Sequence, residues 1–82
     1  MGLYDVSKEG KVWSFHRRKY IKPFVMGGYY YVSLSGGGKV KKYLLARLVA
    51  KQYVPNPEGY SKVTHIDGDR SNNDHKNLKW VE

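Results

Sequence analysis

The sequence predicts a small α+β domain, β-rich in its N-terminal part, with a central β-hairpin packed on one helix and a second hairpin near the C-terminal end. Three observations carry that prediction. Apolar and aromatic residues come in short runs separated by turns at Ser7-Lys8-Glu9-Gly10, Gly27-Gly28 and Ser35-Gly36-Gly37-Gly38, which is strand-and-turn punctuation. One stretch, Leu45 to Tyr53, changes instead to apolar spacings of three and four. The chain has 82 residues and no cysteine, so it can build one modest core without disulfides or a thiolate zinc site.

Tyr4 to Val6 and Lys11 to Phe15 read as two strands around the first turn, with Gly10 available for positive φ. Val6, Val12 and Ser14 alternate against Trp13 and Phe15, and one of those faces should be core. Arg17-Arg18-Lys19 forms an exposed link, after which Ile21 and Phe24 anchor the chain on either side of Pro23. Tyr29 to Leu34 is the clearest strand, and Lys39 to Leu44 returns beside it. Along the returning strand Val40, Lys42 and Leu44 share one face and Lys39, Lys41 and Tyr43 the other. The three glycines between these strands lack a following G-K-[ST], so they read as a hairpin turn rather than a phosphate loop. Leu45 to Tyr53 is the helix; Leu45, Leu48, Val49 and Tyr53 should pack on the hairpin sheet, and Val54-Pro55-Asn56-Pro57 stops it. Pro55 to Gly59 is then a loop, and Lys62-Val63 leads into the last hairpin. One domain over residues 1–82 is expected, in three consecutive segments, 1–28, 29–54 and 55–82.

The formal charge of +8 is unevenly placed. Residues 1–51 hold eleven Lys/Arg against Asp5 and Glu9, whereas residues 52–82 hold four against five acids. Arg17, Arg18, Lys19 and Lys22 form one basic group and Lys39, Lys41, Lys42, Arg47 and Lys51 a second, both interleaved with tyrosines. Such surfaces attract backbone phosphates through counterion release, and their aromatic rings can stack on bases or sugars. A solvated basic face kept for solubility is the alternative. His16, His65 and His75 lack the paired spacing of a zinc site. No apolar run approaches the roughly 20 residues of a membrane span, and Met1-Gly2-Leu3-Tyr4 does not open a signal sequence, so a soluble, unprocessed, cytoplasmic chain is expected.

Chemistry concentrates in Val63 to Trp80, V-T-H-I-D-G-D-R-S-N-N-D-H-K-N-L-K-W. His65 would end one strand, Asp67-Gly68 would turn the chain, and Asn77 would return opposite the histidine with an amide able to orient its ring. Asp67 and Asp69 are read as turn caps that pair with Arg70 or Lys62, Asn72 and Asn73 as caps of a short helical turn, and His75 as an exposed loop residue. This stretch, together with Y-D-V-S-K-E-G-K-V-W-S, G-Y-Y-Y-V-S-L and A-R-L-V-A-K-Q-Y-V-P-N-P-E in the same order, resembles the HNH nucleases. The likeness is to phage and intron-borne HNH homing endonucleases with an N-terminal nuclease-associated modular domain.

The resemblance implies a ββα-metal site in which a neutral histidine takes a proton from water and a divalent cation, Mg²⁺ or Mn²⁺, stabilises the developing charge. It assigns His65 as the general base, Asn77 as the residue orienting it, and the basic N-terminal unit to DNA, with Arg17, Arg18 and Lys19 as first phosphate contacts. It also exposes departures. Thr64 stands at the first metal-ligand position, usually Asp or Asn, and a neutral hydroxyl is a poor ligand for a hard cation. Ala46 replaces the histidine with which the helix commonly begins, and the helix carrying the second ligand is not found before Glu82, so the motif reads as degenerate and truncated.

These departures favour a DNA-binding module of HNH ancestry, cleavage-deficient and needing no cofactor, that a phage could use to occlude DNA or inhibit a host defence complex. The alternatives are a metal-dependent nicking enzyme, its missing ligand coming from a longer chain or a dimer mate, and a protein-binding phage inhibitor. Leu78, Trp80 and Val81 are expected to pack on Leu48 and Val49 or across a homodimer contact.

Overall fold

In the computed structural model, which describes residues 3–36 and 38–82, three small antiparallel sheets share one helix. Strands β1 (Tyr4–Val6), β2 (Val12–Ser14) and β3 (Lys19–Ile21) form the first sheet in that order. The second contains β4 (Phe24–Met26), β5 (Tyr29–Gly36) and β6 (Lys39–Leu44). Helix α1 (Leu45–Tyr53) follows directly, then β7 (Lys62–His65), a 3₁₀ turn (His75–Asn77) and β8 (Leu78–Val81), with β7 and β8 paired as the third sheet.

The strand faces follow from period-2 alternation. Val6, Val12 and Ser14 are the buried face of the first sheet, and Tyr4 stands opposite Ser14. β3 was not anticipated: the basic run His16-Arg17-Arg18 is a tight turn, with Arg18 left-handed at φ 54 and Ser14 Oγ accepting from Arg17 N–H at 3.2 Å, so Lys19 already belongs to a strand. Trp13 and Tyr20, directly opposed across β2 and β3, make an edge-to-face pair at 4.9 Å. Pro23 separates β3 from β4, and the Gly27-Gly28 turn, both residues at positive φ, joins β4 to β5 as expected. Gly37, inside the expected glycine turn between β5 and β6, lies outside the described residues.

The core is one cluster of Val6, Val12, Val32, Leu34, Leu45, Ala46, Val49, Ala50, Leu78 and Trp80. Helix α1 sits at its centre and packs against β1, β5, β6, β7 and β8. Leu45 and Val49 are buried as their spacing implies; Leu48 and Tyr53 are only partly so, and Ala46 and Ala50 take the closest positions. Position 46 is therefore a core one. Trp80, 8% exposed, packs into this cluster within the monomer and donates Nε1–H to the Val54 carbonyl at 3.1 Å, capping the helix end.

Hydrogen bonds across elements fix how the sheets meet. Tyr4 Oη accepts from Ser35 N–H at 2.9 Å and lies 3.2 Å from the Ser35 carbonyl, joining the first two sheets. That contact holds the Tyr4 phenol below its ordinary value, first through the Ser35 side-chain hydroxyl and then through the Ser35 backbone. Tyr53 Oη donates to the Val6 carbonyl, tying α1 to β1. Asn56 closes the Pro-rich loop by accepting from Tyr60 N–H and donating to its carbonyl.

Because Trp80 links the third sheet to the helix, Trp80→Ala is expected to cost about 3–5 kcal/mol, read as a lower urea midpoint. Val40→Thr, at a residue 70% exposed on β6, should shift stability by less than about 0.5 kcal/mol.

Candidate active site and nucleic-acid interface

The β7–β8 register pairs Val63 with Trp80, Thr64 with Lys79 and His65 with Leu78. Alternation puts Val63 and His65 on the face of Leu78 and Trp80, the face that packs toward α1, and puts Thr64 with Lys79 on the opposite, exposed face. His65 is half-buried as a result, anchored by the same hairpin that buries Trp80.

The loop from Ile66 to Asp74 is held by a polar knot. Asp67 carboxylate accepts from Asp69 N–H at 2.7 Å, from Asn77 Nδ2 at 2.9 Å and from Asn72 Nδ2 at 3.1 Å. These donors hold the Asp67 carboxyl below the ordinary carboxylate value, the Asp69 backbone N–H contributing most. Asn77 also donates to the Asn72 carbonyl at 2.9 Å and accepts from Asp67 N–H at 3.1 Å. Asp69 accepts from the N–H and the hydroxyl of Ser71. Asp67 and Asp69 thus cap the loop as expected, but neither pairs with Arg70 or Lys62 among the described residues. The Arg70 guanidinium lies instead over the Tyr29 ring, 4.2 Å from its centroid.

Asn77, expected to orient the His65 ring, gives its amide hydrogens to Asp67 and to the Asn72 carbonyl and makes no hydrogen bond to His65 among the described residues. The ring's partner is Asn73, whose Oδ1 lies 2.8 Å from His65 Nε2. Asn73 is 5% exposed and its Nδ2 donates to the Arg70 carbonyl at 3.3 Å. The 3₁₀ turn is capped by Asp74, which accepts from Lys76 N–H, rather than by Asn72 or Asn73. His75 is also not a free loop residue; its N–H donates to the Lys8 carbonyl at 2.8 Å and its ring lies beside Tyr53. Sequence reasoning missed Asn73 because one amide in an Asn-rich loop looks like the next; the only signal was its position directly before the predicted turn.

All nine predicted phosphate-contact residues are exposed, but on different surfaces. Arg17, Lys19 and Lys22 line a groove of ≈ 350 Å³ between the first two sheets, floored by Tyr20, Phe24 and Val40. Lys42 shares the Val40 face of β6, opposite Ser33. Lys39 and Lys41 stand with Tyr43 on the other face at the sheet edge, beside Tyr4 and Leu34. Arg47 and Lys51 flank a third concavity with Tyr53, Asn56 and Tyr60. Arg18 sits at the tip of the β2–β3 turn.

A divalent cation does not fit the residues described. Thr64 offers a hydroxyl with the Lys79 ammonium chain directly opposite, and the nearby carboxylate, Asp67, is committed to three N–H donors. No group of three His, Cys, Asp or Glu side chains suited to a metal occurs among the described residues.

Comparison with known proteins is decisive on kinship. A family profile described as HNH endonuclease matches residues 43–82. DNA endonuclease I-HmuI of Bacillus phage SP01 is 38% identical over 81 residues, 98% of this chain. An uncharacterized HNH endonuclease of Acanthamoeba polyphaga mimivirus is 41% identical over 78 residues, 94% of this chain. A solved structure, described as DNA binding and cleavage by the HNH homing endonuclease I-HmuI, superposes with a TM-score of 0.88 over 98% of this chain. The chain belongs to the HNH endonuclease family. The HNH domain described here spans 47% of the I-HmuI chain and 24% of the mimivirus protein. Its fold matches that of the HNH homing endonuclease structure, the small α+β arrangement expected, and no helix of the described residues is long and apolar enough to cross a membrane.

Asp67 provides a pH test. Its folded-state pKa is depressed, so its contribution to stability is fully present above the unfolded carboxylate value of about 3.9 and is lost as pH falls through the lower folded value. Thermal melts should show wild-type stability falling with acidification below about pH 4 more steeply than that of Asp67→Asn.

Proposed function

We propose that this HNH domain binds DNA through the basic, aromatic-lined faces of its N-terminal sheets and presents His65 as the proton acceptor of a phosphodiester-nicking centre. The divalent-cation ligands of that centre are not among the residues described. On this reading the chain by itself binds DNA and does not nick it. The observation that carries the reading is the half-buried His65 ring, held at Nε2 by Asn73 while the neighbouring Thr64–Lys79 face lacks carboxylates.

The chemistry assigned to the domain's own residues is limited. Nδ1 of a neutral His65 accepts a proton from water, whose oxygen forms a bond to phosphorus as the bond to a sugar oxygen breaks. Asn77 acts through the loop, keeping Asp67 and Asn72 in the knot from which Asn73 projects. Arg17, Arg18, Lys19, Lys22, Lys39, Lys41, Lys42, Arg47 and Lys51 supply phosphate contacts. The groove lined by Arg17, Lys19 and Lys22 combines such cations with Tyr20 and Phe24, the pairing that tracks a nucleic-acid backbone.

In a second reading the domain nicks DNA with Mg²⁺ or Mn²⁺, with a cation ligand from a longer chain or a dimer mate. The favouring observation is that His65 is held in place by a side-chain partner, Asn73 Oδ1 lying 2.8 Å from its Nε2.

Binding and nicking of supercoiled plasmid and short duplex, with Mg²⁺ or Mn²⁺ against chelator, separates these readings when wild type is compared with His65→Ala. Salt-sensitive binding without nicking supports the first; metal-dependent nicking lost in His65→Ala establishes the second. Neither binding nor nicking would discard both and turn the search to a protein partner, such as a host defence complex. In the same binding assay, replacing Arg17, Lys19 and Lys22 by Ala should lower the slope of log affinity against log salt by up to about 0.9 per residue.

A further inference from the structure

We propose that Asn73 is a positioning residue that sets the tautomer of His65, and that the turn of the first sheet at Gly10 sets Asn73. The proposal rests on reading His65 as a proton acceptor, and it names the ring atom and the support that such a role requires.

Amide orientation decides the tautomer. Asn73 Nδ2 lies 3.3 Å from the Arg70 carbonyl, a group that can only accept, so this end of the amide must be the donor. Exchanging the two ends would set Asn73 Oδ1 against the Arg70 carbonyl oxygen and the NH₂ group against His65. The opposite end, Oδ1, therefore faces His65 Nε2 at 2.8 Å and accepts from it. In the neutral ring the proton is then on Nε2 and the lone pair on Nδ1. No hydrogen bond to Nδ1 is formed by any of the described residues, which leaves that lone pair for an incoming proton.

Asn73 is held from outside its own loop. A side-chain carbon at Gly10 would come 2.9 Å from the Asn73 carbonyl oxygen and 3.0 Å from its Cβ, so the backbone of the β1–β2 turn lies directly against it. Gly10 has φ +90, a conformation that favours glycine. Two residues earlier in the same turn, the Lys8 carbonyl accepts from His75 N–H at 2.8 Å, pinning the far side of the loop. A second brace comes from the β4–β5 turn, where Arg70 lies over Tyr29 and against Gly28. One N-terminal turn thus lies against Asn73 itself, and the other holds the side chain of Arg70, the residue whose carbonyl the Asn73 amide reads.

Long-range ¹H–¹⁵N correlation of the His65 ring, at a pH where the imidazole is neutral, tests this without DNA or cleavage. Wild type should show a protonated Nε2 and an unprotonated Nδ1. Asn73→Leu keeps the volume but removes the acceptor, and should lose the separation between the two nitrogen shifts as both tautomers populate. Gly10→Ala should move the shifts toward the Asn73→Leu pattern, amide dispersion showing that each variant is folded. Averaged shifts or an Nδ1–H ring in wild type, or an unchanged ring in folded Asn73→Leu, would overturn the proposal. Should Asn73→Leu not fold, the wild-type and Gly10→Ala spectra still decide it. DNA nicking that persists in His65→Ala would instead remove the proton-acceptor reading while leaving the tautomer assignment intact.

Discussion

The structure depends on nine residues of helix serving three sheets at once. None of those sheets has more than three strands, and small sheets of this kind gain stability only by covering an apolar face. With 82 residues and no cysteine, the chain has one apolar surface to share, that of α1. Val49 and Ala50 are fully buried there, and the small side chains of Ala46 and Ala50 let strands approach on more than one side. Hydrogen bonds then fix the angles between layers: Tyr53 to β1, Trp80 to the helix end, Tyr4 to β5. Because the histidine hairpin is one of the sheets hung on the helix, the position of His65 follows from core packing.

The loop beyond the hairpin obeys a different economy. It has no apolar anchor between Asp67 and Asp74, and its shape comes from side chains that imitate backbone partners: Asp67, Asp69, Asn72 and Asn77 exchange bonds with the chain a few residues away. A carboxylate so occupied is poor material for a metal centre, because recruiting Asp67 would release three donors. That is a physical reason to look elsewhere than this loop for cation ligands. It also explains why an amide serves as the histidine's partner. Asn73 fixes a ring orientation with its Oδ1 while its Nδ2 holds the Arg70 carbonyl, which a carboxylate could not do.

Much of the scaffold was legible because it rests on periodicity. The helix bounds, the β5–β6 hairpin and the burial of Trp80 all follow from apolar spacing and from Pro55 and the glycine turns. β3 and β4 were not, since each has three residues and Pro23 interrupts the pattern between them; their stability comes from cross-strand aromatic pairs such as Trp13–Tyr20 and Phe24–Tyr31, which sequence order does not reveal. The site divides the same way. His65 stands out by type and by its place before D-G, whereas choosing between Asn73 and Asn77 as its partner needs the loop's three-dimensional path. The basic residues were correctly exposed, yet their division among separate surfaces depends on sheet register, as with Lys41 and Lys42 on opposite faces of β6.

The first sheet connects the two halves of the proposed function. Its β1–β2 turn touches the histidine loop at Gly10 and Lys8, and its β2–β3 turn carries Arg17 and Arg18. In a meander these turns lie at opposite ends of β2, separated by a strand of three residues, or about 10 Å at the usual rise. So short a paired strand leaves little room for bending, and Tyr4 further locks the sheet to its neighbour. A phosphate held at Arg17 would therefore be at a nearly fixed distance from the support of Asn73. Flexible attachment would give the same affinity but no fixed geometry between bound DNA and the His65 ring, and proton transfer demands that geometry.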